Sequence, residues 1–271
     1  MEFFDTHCHI QSAGLTVGER STRELWAKSS QDTTVDTLVA AAVEVGVRTM
    51  VCVGCDVDDS ELAITAVKGR ENLYASIGIH PHEAQRYVDN TEEKARFSKL
   101  ATAEKVVAVG EIGLDYFYEH SPREAQLAML RFQLELAQQH NLPVIFHVRG
   151  AFDDFWPIFE EFEGIRGVLH SFTDSLENMQ KATQKGLFIG VNGIATFAKG
   201  EDQIAMYKQI PLSNLVLETD APFLTPVPFR GKICEPKHVV LTAEFLAKLH
   251  GVTVAEIADV STQNARKLFN L

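Results

Sequence analysis

Short, β-rich apolar runs alternate with longer segments of helical periodicity along the whole chain. The runs fall at residues 3–7, 48–53, 73–79, 106–111, 144–148, 167–171, 187–191 and 215–220. Between them lie amphipathic stretches such as 35–45 and 123–140. Strands alternating with helices imply a parallel sheet with helical crossovers. Eight such units in 271 residues predict a closed (β/α)8 TIM barrel, an α/β fold that commonly needs about 250 residues. An open doubly wound sheet is the alternative, but no Gly-x-Gly-x-x-Gly follows the first strand. No Ser/Gly/Pro-rich linker divides the chain, so residues 1–271 read as one barrel domain.

Two connections are unusual. Residues 11–34 follow the first strand, are polar and poor in helical periodicity, and hold one large apolar pair, Leu25 and Trp26. In a barrel this segment lies over the C-terminal face, where active sites sit. It reads either as a functional cover or as a disordered surface insertion. Residues 221–236 follow the eighth strand and carry four prolines.

The chemistry begins at Asp5-Thr6-His7-Cys8-His9. Side chains repeat with period two along a strand, so His7 and His9 share one side of the first strand's end. Further charged or polar groups occur where the later strands end: Glu111, His147, His170 and Asp220. Such groups are unfavourable there unless paired, hydrogen-bonded or bound to metal. Six of them at one end of a barrel predict a metal centre. Four imidazoles and two carboxylates suit Zn, Mn, Co or Ni, and Mg less well. Six ligands exceed the needs of one open catalytic ion. Glu111 could bridge two divalent ions, which would then activate water and hold both oxygens of a displacement.

Composition constrains the substrate and the setting. A net charge of −12 argues against a general electrostatic grip on nucleic acid. A site holding two divalent ions can nevertheless be locally positive and favour an anionic substrate. The chain has no apolar run of about 18 residues that would span a membrane, and no basic, cleavable leader. Four cysteines do not make a disulfide framework. A cytoplasmic location is the expectation. Cys52-Val53-Gly54-Cys55 lies at the end of the second strand and reads as core thiols.

Taken together these pieces resemble a family, the TatD-like metal-dependent hydrolases, which are related to the amidohydrolases. The matching motifs are Asp5-Thr6-His7-Cys8-His9, Gly78-Ile79-His80-Pro81-His82, Gly110-Glu111-Ile112-Gly113-Leu114-Asp115, His147-Val148-Arg149, His170-Ser171-Phe172 and Glu218-Thr219-Asp220-Ala221-Pro222-Phe223-Leu224. They run in order over essentially the whole chain. The resemblance implies a deoxyribonuclease that removes nucleotides from a 3′ end. It implies one ion held by His7, His9, Glu111 and Asp220, and a second held by Glu111, His147 and His170. The segment 11–34 is longer than the family's usual connection, and Cys234-Glu235-Pro236 stands where Asn-Glu-Pro is usual.

Under this reading Asp220 and Glu111 are the catalytic carboxylates, with Asp220 accepting the proton of the attacking water. Arg149 points to the same face as His147 and either clamps phosphate or closes a salt bridge. Arg230 and Lys232 either contact the DNA backbone or are plain surface charge. His80 and His82 either meet substrate and shuttle protons or stabilise the turn at Pro81. Glu218 either orients a ligand histidine or is buried with an arginine. His120, His140, His238 and His250 read as surface or helix-end residues. DNA is the expected transient partner, with no membrane, no stable protein partner and a monomer or weak oligomer. A hydrolase of small esters, lactones or amides is the competing class, although Glu111 stands where many amidohydrolases carry a carboxylated lysine. A non-catalytic metal-binding protein is the third.

Overall fold

A computed structural model describes residues 1–29 and 32–271, so Ser30 and Gln31 of the 11–34 segment lie outside the described residues. Eight parallel strands form a single sheet in sequential order. They are β1 (Phe3–Cys8), β2 (Val47–Val53), β3 (Leu73–Ile77), β4 (Val106–Asp115), β5 (Val144–Arg149), β6 (Gly167–Leu169), β7 (Phe188–Val191) and β8 (Leu215–Leu217). The helices that follow one another around the sheet are α1 (Arg20–Trp26), α2 (Val35–Glu44), α3 (Val57–Val67), α4 (Ala84–Tyr87), α5 (Thr91–Leu100) and α6 (Arg123–His140). They continue with α7 (Phe152–Glu161), α8 (Leu176–Gln184), α9 (Glu201–Gln209), α10 (Val239–His250) and α11 (Val254–Phe269). The predicted (β/α)8 barrel is therefore present.

Its interior is packed rather than hollow. Phe4, Val51, Ala108, Ile145, Val168 and Val216 come from six different strands and form one buried cluster. Helix α11 adds Ala265, Leu268 and Phe269 to the same cluster, with the Phe269 ring 5.8 Å from that of Phe4. The C-terminal helix therefore plugs the N-terminal end of the barrel and leaves the opposite end for chemistry. Among the described residues no helix is long and apolar enough to cross a membrane.

The sheet closes between β1 and β8 by side chains more than by a ladder. One isolated bridge pairs Cys8 with Ala221. Backbone bonds run from His9 N to the Ala221 carbonyl at 2.7 Å and from Asp220 N to the His7 carbonyl at 2.8 Å. Buried Asp5 accepts the Thr219 N–H at 2.8 Å and its hydroxyl at 2.6 Å. Burial, only partly countered by these bonds, pushes the Asp5 carboxyl up to about 8.

Several predicted boundaries move. The β4 strand continues to Asp115, whereas β6 and β8 stop at Leu169 and Leu217. Hence Asp220 lies beyond its strand, in the left-handed region at φ 58°, and does not share a strand face with Glu218. The 11–34 segment is not an irregular insertion, because α1 forms within it. Glu19 caps that helix by accepting the N–H groups of Ser21 and Thr22. The Trp26 indole donates to the His9 carbonyl at 2.8 Å, and Gln11 donates to the Val53 carbonyl at 2.8 Å and to Asp59 at 2.9 Å.

Candidate metal centre

The strand ends deliver their polar groups into a cavity of about 660 Å³, lined among others by His9, His80, His82, Glu111, His147, Arg149, His170 and Asp220. Glu111 sits at its centre because β4 is irregular there. Gly110 pairs with Ile145 and Ile112 with Phe146, so Glu111 is an extra residue bulged out of the ladder. Its N–H bonds to the Gly54 carbonyl at 3.2 Å instead. Gly78 lies directly against this bulge, where any Cβ would collide with the Glu111 backbone.

The two oxygens of Glu111 face different groups of nitrogens. Oε2 stands 3.5 Å from His7 Nε2 and 3.9 Å from His9 Nε2. Asp220 Oδ1 completes this side at 3.5 Å from His7 Nε2 and 3.3 Å from His9 Nε2. Two donors bound tetrahedrally to one ion at about 2.0–2.1 Å stand about 3.4 Å apart; most of these separations match that, while His7 Nε2 and His9 Nε2 are closer, at 3.0 Å. Oε1 lies 2.6 Å from His147 Nδ1, 2.9 Å from His170 Nε2 and 3.5 Å from His80 Nε2. The first two are hydrogen-bond lengths, while His147 Nδ1 and His170 Nε2 are 3.4 Å apart. Here Glu111 and His147 have two possible third donors, His170 and His80.

Outer partners hold the imidazoles in place, as they do in metal sites generally. The His9 Nδ1 group lies 2.8 Å from the Val53 carbonyl, so the ring donates there and turns Nε2 inward. His147 Nε2 lies 3.2 Å from Asp115 Oδ2. His170 Nδ1 is 3.6 Å from Glu218 Oε1, and buried Glu218 also accepts the Ser171 N–H at 2.5 Å and the Asn192 amide at 3.2 Å. No arginine is paired with Glu218 among the described residues; its charge is turned towards His170. Among the described residues neither His7 Nδ1 nor His170 Nδ1 has a hydrogen-bond partner, so Glu218 acts on His170 as a nearby carboxylate at 3.6 Å and not through a hydrogen bond.

Electrostatics favour ionised carboxylates. Burial pushes Glu111 up, but His170, His80 and His147 more than offset this and hold it well below the usual carboxylate range. Asp220 is likewise lowered, its burial outweighed by His9 and His7. Burial drives the Cys55 thiol up, so this sulfur, 3.8 Å from His9 Nδ1, stays protonated and is a poor ligand. All four cysteines are buried and free.

The substrate-facing candidates separate. Arg149 ends β5 and lines the cavity. Its guanidinium carbon lies 4.3 Å from the Phe117 ring centroid and 4.8 Å from that of Tyr118, and it makes no salt bridge among the described residues. His80 does stabilise the turn at Pro81, accepting the His82 N–H at 3.1 Å, while its other nitrogen faces Glu111. His82 Nε2 pairs with Asp115 at 2.9 Å. Arg230 and Lys232 do not line the central cavity. Arg230 lies over Phe197 at 4.3 Å, and Lys232 lines a second cavity of about 1020 Å³ between α1 and the 222–241 region.

Three residues gain detail. His120 is exposed, as expected of a surface residue, and it also lines the central cavity beside His82 and Tyr118. His238 is a helix-end residue, as expected, standing at the N-cap of α10, but it is buried, with its ring stacked on Phe229 at 5.3 Å. Asp115, quoted within a motif but given no role, is buried and holds both His82 and His147. Its signal was present in the sequence as a second acidic residue four positions beyond Glu111.

A family model described as TatD related DNase matches residues 4–270. The chain belongs to this family. The uncharacterized metal-dependent hydrolase YabD of Bacillus subtilis (strain 168) is 36% identical over 271 residues, covering 99% of each chain. Deoxyribonuclease Tat-D of Schizosaccharomyces pombe is 31% identical, with 87% of each chain covered. The crystal structure of YJJV, a TatD homolog from Escherichia coli, matches with a TM-score of 0.85 and 28% identity, over 99% of this chain and 98% of that one. The protein is thus a TatD-family metal-dependent hydrolase, and its cavity gathers His, Glu and Asp clusters that could hold a metal ion.

Proposed function

We propose that this hydrolase is a deoxyribonuclease that uses two divalent ions to remove nucleotides from the 3′ end of a DNA strand. The observation that carries the reading is Glu111, whose Oε2 faces His7 and His9 while its Oε1 faces His147 and His170. His7, His9, Glu111 and Asp220 would hold one ion; Glu111, His147 and His170 would hold the other. The family description and the name of the S. pombe relative support DNA as substrate.

Charge supports the number of ions. Glu19, Glu83, Glu111 and Asp220 line the cavity, against Arg149 as the one lysine or arginine among the described lining residues. With neutral histidines the wall carries a formal charge of −3. On the lining residues alone, one divalent ion leaves −1 and two give +1, and the second value favours a phosphodiester. Bound ions would supply Lewis acidity to the phosphate and acidify the attacking water. In this reading Asp220 takes the water's proton and returns it to the leaving oxygen. Arg149 binds the phosphate through its planar fork. Asp115, Glu218 and the Val53 carbonyl keep His147, His170 and His9 aimed inward.

Elemental analysis of the wild type and of Glu111→Gln tests this. The amide offers one ligand oxygen in place of two, so bound metal should fall from two ions per chain to one or fewer. Equal metal content in both proteins would refute the bridging role. Digestion of 3′-labelled DNA, RNA and small esters side by side tests the substrate; cleavage of the esters alone would move the protein to the competing class.

A further inference from the structure

Two of the largest exposed aromatic side chains stand together at the rim of the metal cavity. Phe117 is 65% exposed and Tyr118 is 52% exposed. They follow β4 directly, and Tyr118 lines the cavity with His147 and Arg149. Apolar rings are ordinarily withdrawn from water, since burying one contributes about 1.5–3 kcal/mol. Here the rings are held out by specific bonds. Asp115 Oδ1 accepts the backbone N–H groups of Phe117 at 2.9 Å and Tyr118 at 3.0 Å. The other oxygen of the same carboxylate faces His147 Nε2 at 3.2 Å and His82 Nε2 at 2.9 Å. One buried group therefore fixes both the rings and a histidine of the metal centre.

The surface they form is aromatic and cationic, with the two rings edge to face at 4.8 Å between centroids and 88°. The Arg149 guanidinium lies over both rings. The His120 ring is nearly parallel to Tyr118, at 8° and 5.8 Å between centroids. Aromatic faces and guanidinium planes are what single-stranded nucleic acids use to stack their bases. Stacking is indifferent to base identity, which suits an enzyme that must process any sequence.

We propose that Phe117, Tyr118 and Arg149 form a stacking platform for a nucleobase close to the scissile phosphodiester of a single strand. The proposal rests on the nuclease reading above. The base stacks on the Tyr118 ring, with Phe117 edge to face with that ring and the guanidinium beside it, and the neighbouring phosphate sits over the metal cavity on the side of Arg149. The platform selects unpaired ends, because a base within a duplex has both faces occupied by its neighbours. These residues bind the substrate and take no part in proton transfer.

The test uses the metal-loaded full-length protein, a 3′-labelled single-stranded oligonucleotide, and versions carrying one abasic residue at each of the last three positions in turn. Tyr118→Ala should raise KM on the intact strand by about 5- to 150-fold, the factor equivalent to a stack of about 1–3 kcal/mol, and leave kcat within a few-fold. Tyr118→Phe keeps the ring and should behave as wild type. Tyr118→Leu, apolar but without a π face, should behave as the alanine variant and serves if that one folds poorly. At one position the abasic strand should already be poor for the wild type, with no further loss in Tyr118→Ala. A wild-type KM in Tyr118→Ala, or the same loss on intact and abasic strands at every position, overturns the platform and leaves the nuclease reading standing. A wild type that cleaves no oligonucleotide in any metal overturns both.

Discussion

Replacing Glu218 by Gln separates two roles of one buried carboxylate. Glu218 is fully buried, and Oε1 receives Ser171 N–H at 2.5 Å and the Asn192 amide at 3.2 Å, with His170 Nδ1 at 3.6 Å. Among the described residues Oε2 has no hydrogen-bond partner, and it lies against Gly190, where a Cβ would collide with it. Glutamine keeps the volume. Its oxygen can preserve the bonds at Oε1 only by placing its NH2 at the Oε2 position, where no acceptor waits. A buried donor left without a partner costs about 1–3 kcal/mol, and each kcal/mol lowers Tm by about 2–4 °C in a protein of roughly this size. Independently, His170 loses its anionic partner, and changes at such outer groups weaken metal binding about 10–100-fold. The two effects are read apart: thermal unfolding with a chelator present reports the first, and metal titration of the folded protein reports the second. Wild-type metal affinity in a variant of lowered chelated Tm would confine Glu218 to packing. Wild-type values in both assays would refute the reasoning altogether.

Other perturbations follow from the same geometry. Asp220→Asn should keep its fold, because Asn tolerates the left-handed conformation found at φ 58°; kcat on a labelled oligonucleotide should fall about 10²–10⁴-fold, and undiminished turnover would remove Asp220 from proton transfer. Trp26→Phe deletes the indole bond to the His9 carbonyl. It should cost about 1–3 kcal/mol, seen as a lower urea midpoint, and should speed tryptic cutting at Arg20, Arg23 or Lys28. An unchanged midpoint and cutting rate would mean that α1 is held by other contacts.

The barrel was legible in the chain because its eight apolar runs carry a strong and repeated signal. The donors were legible because polar residues at the ends of such runs have few structural excuses. What escaped was set by contacts distant in sequence. The bulge at Glu111 is a property of the register between β4 and β5, and neither strand shows it alone. Helix α1 buries only Thr22 and Trp26, too few positions to mark a period, and forms on tertiary hydrogen bonds. His120 lies in a loop, and it reaches the cavity only because Asp115 folds residues 117 and 118 back over it.

An ion held as proposed by His7, His9 and Asp220 would take a mechanical role at the weak seam between β1 and β8. His7 and His9 lie on one margin of the sheet and Asp220 on the other, and the margins share one isolated bridge and a few side-chain bonds. An ion gripping all three would act as a clasp across a gap that backbone pairing leaves nearly open, joining residues more than 200 positions apart. Loading the metal and shutting the barrel would then be one event, and a chain clipped at either end would lose both together.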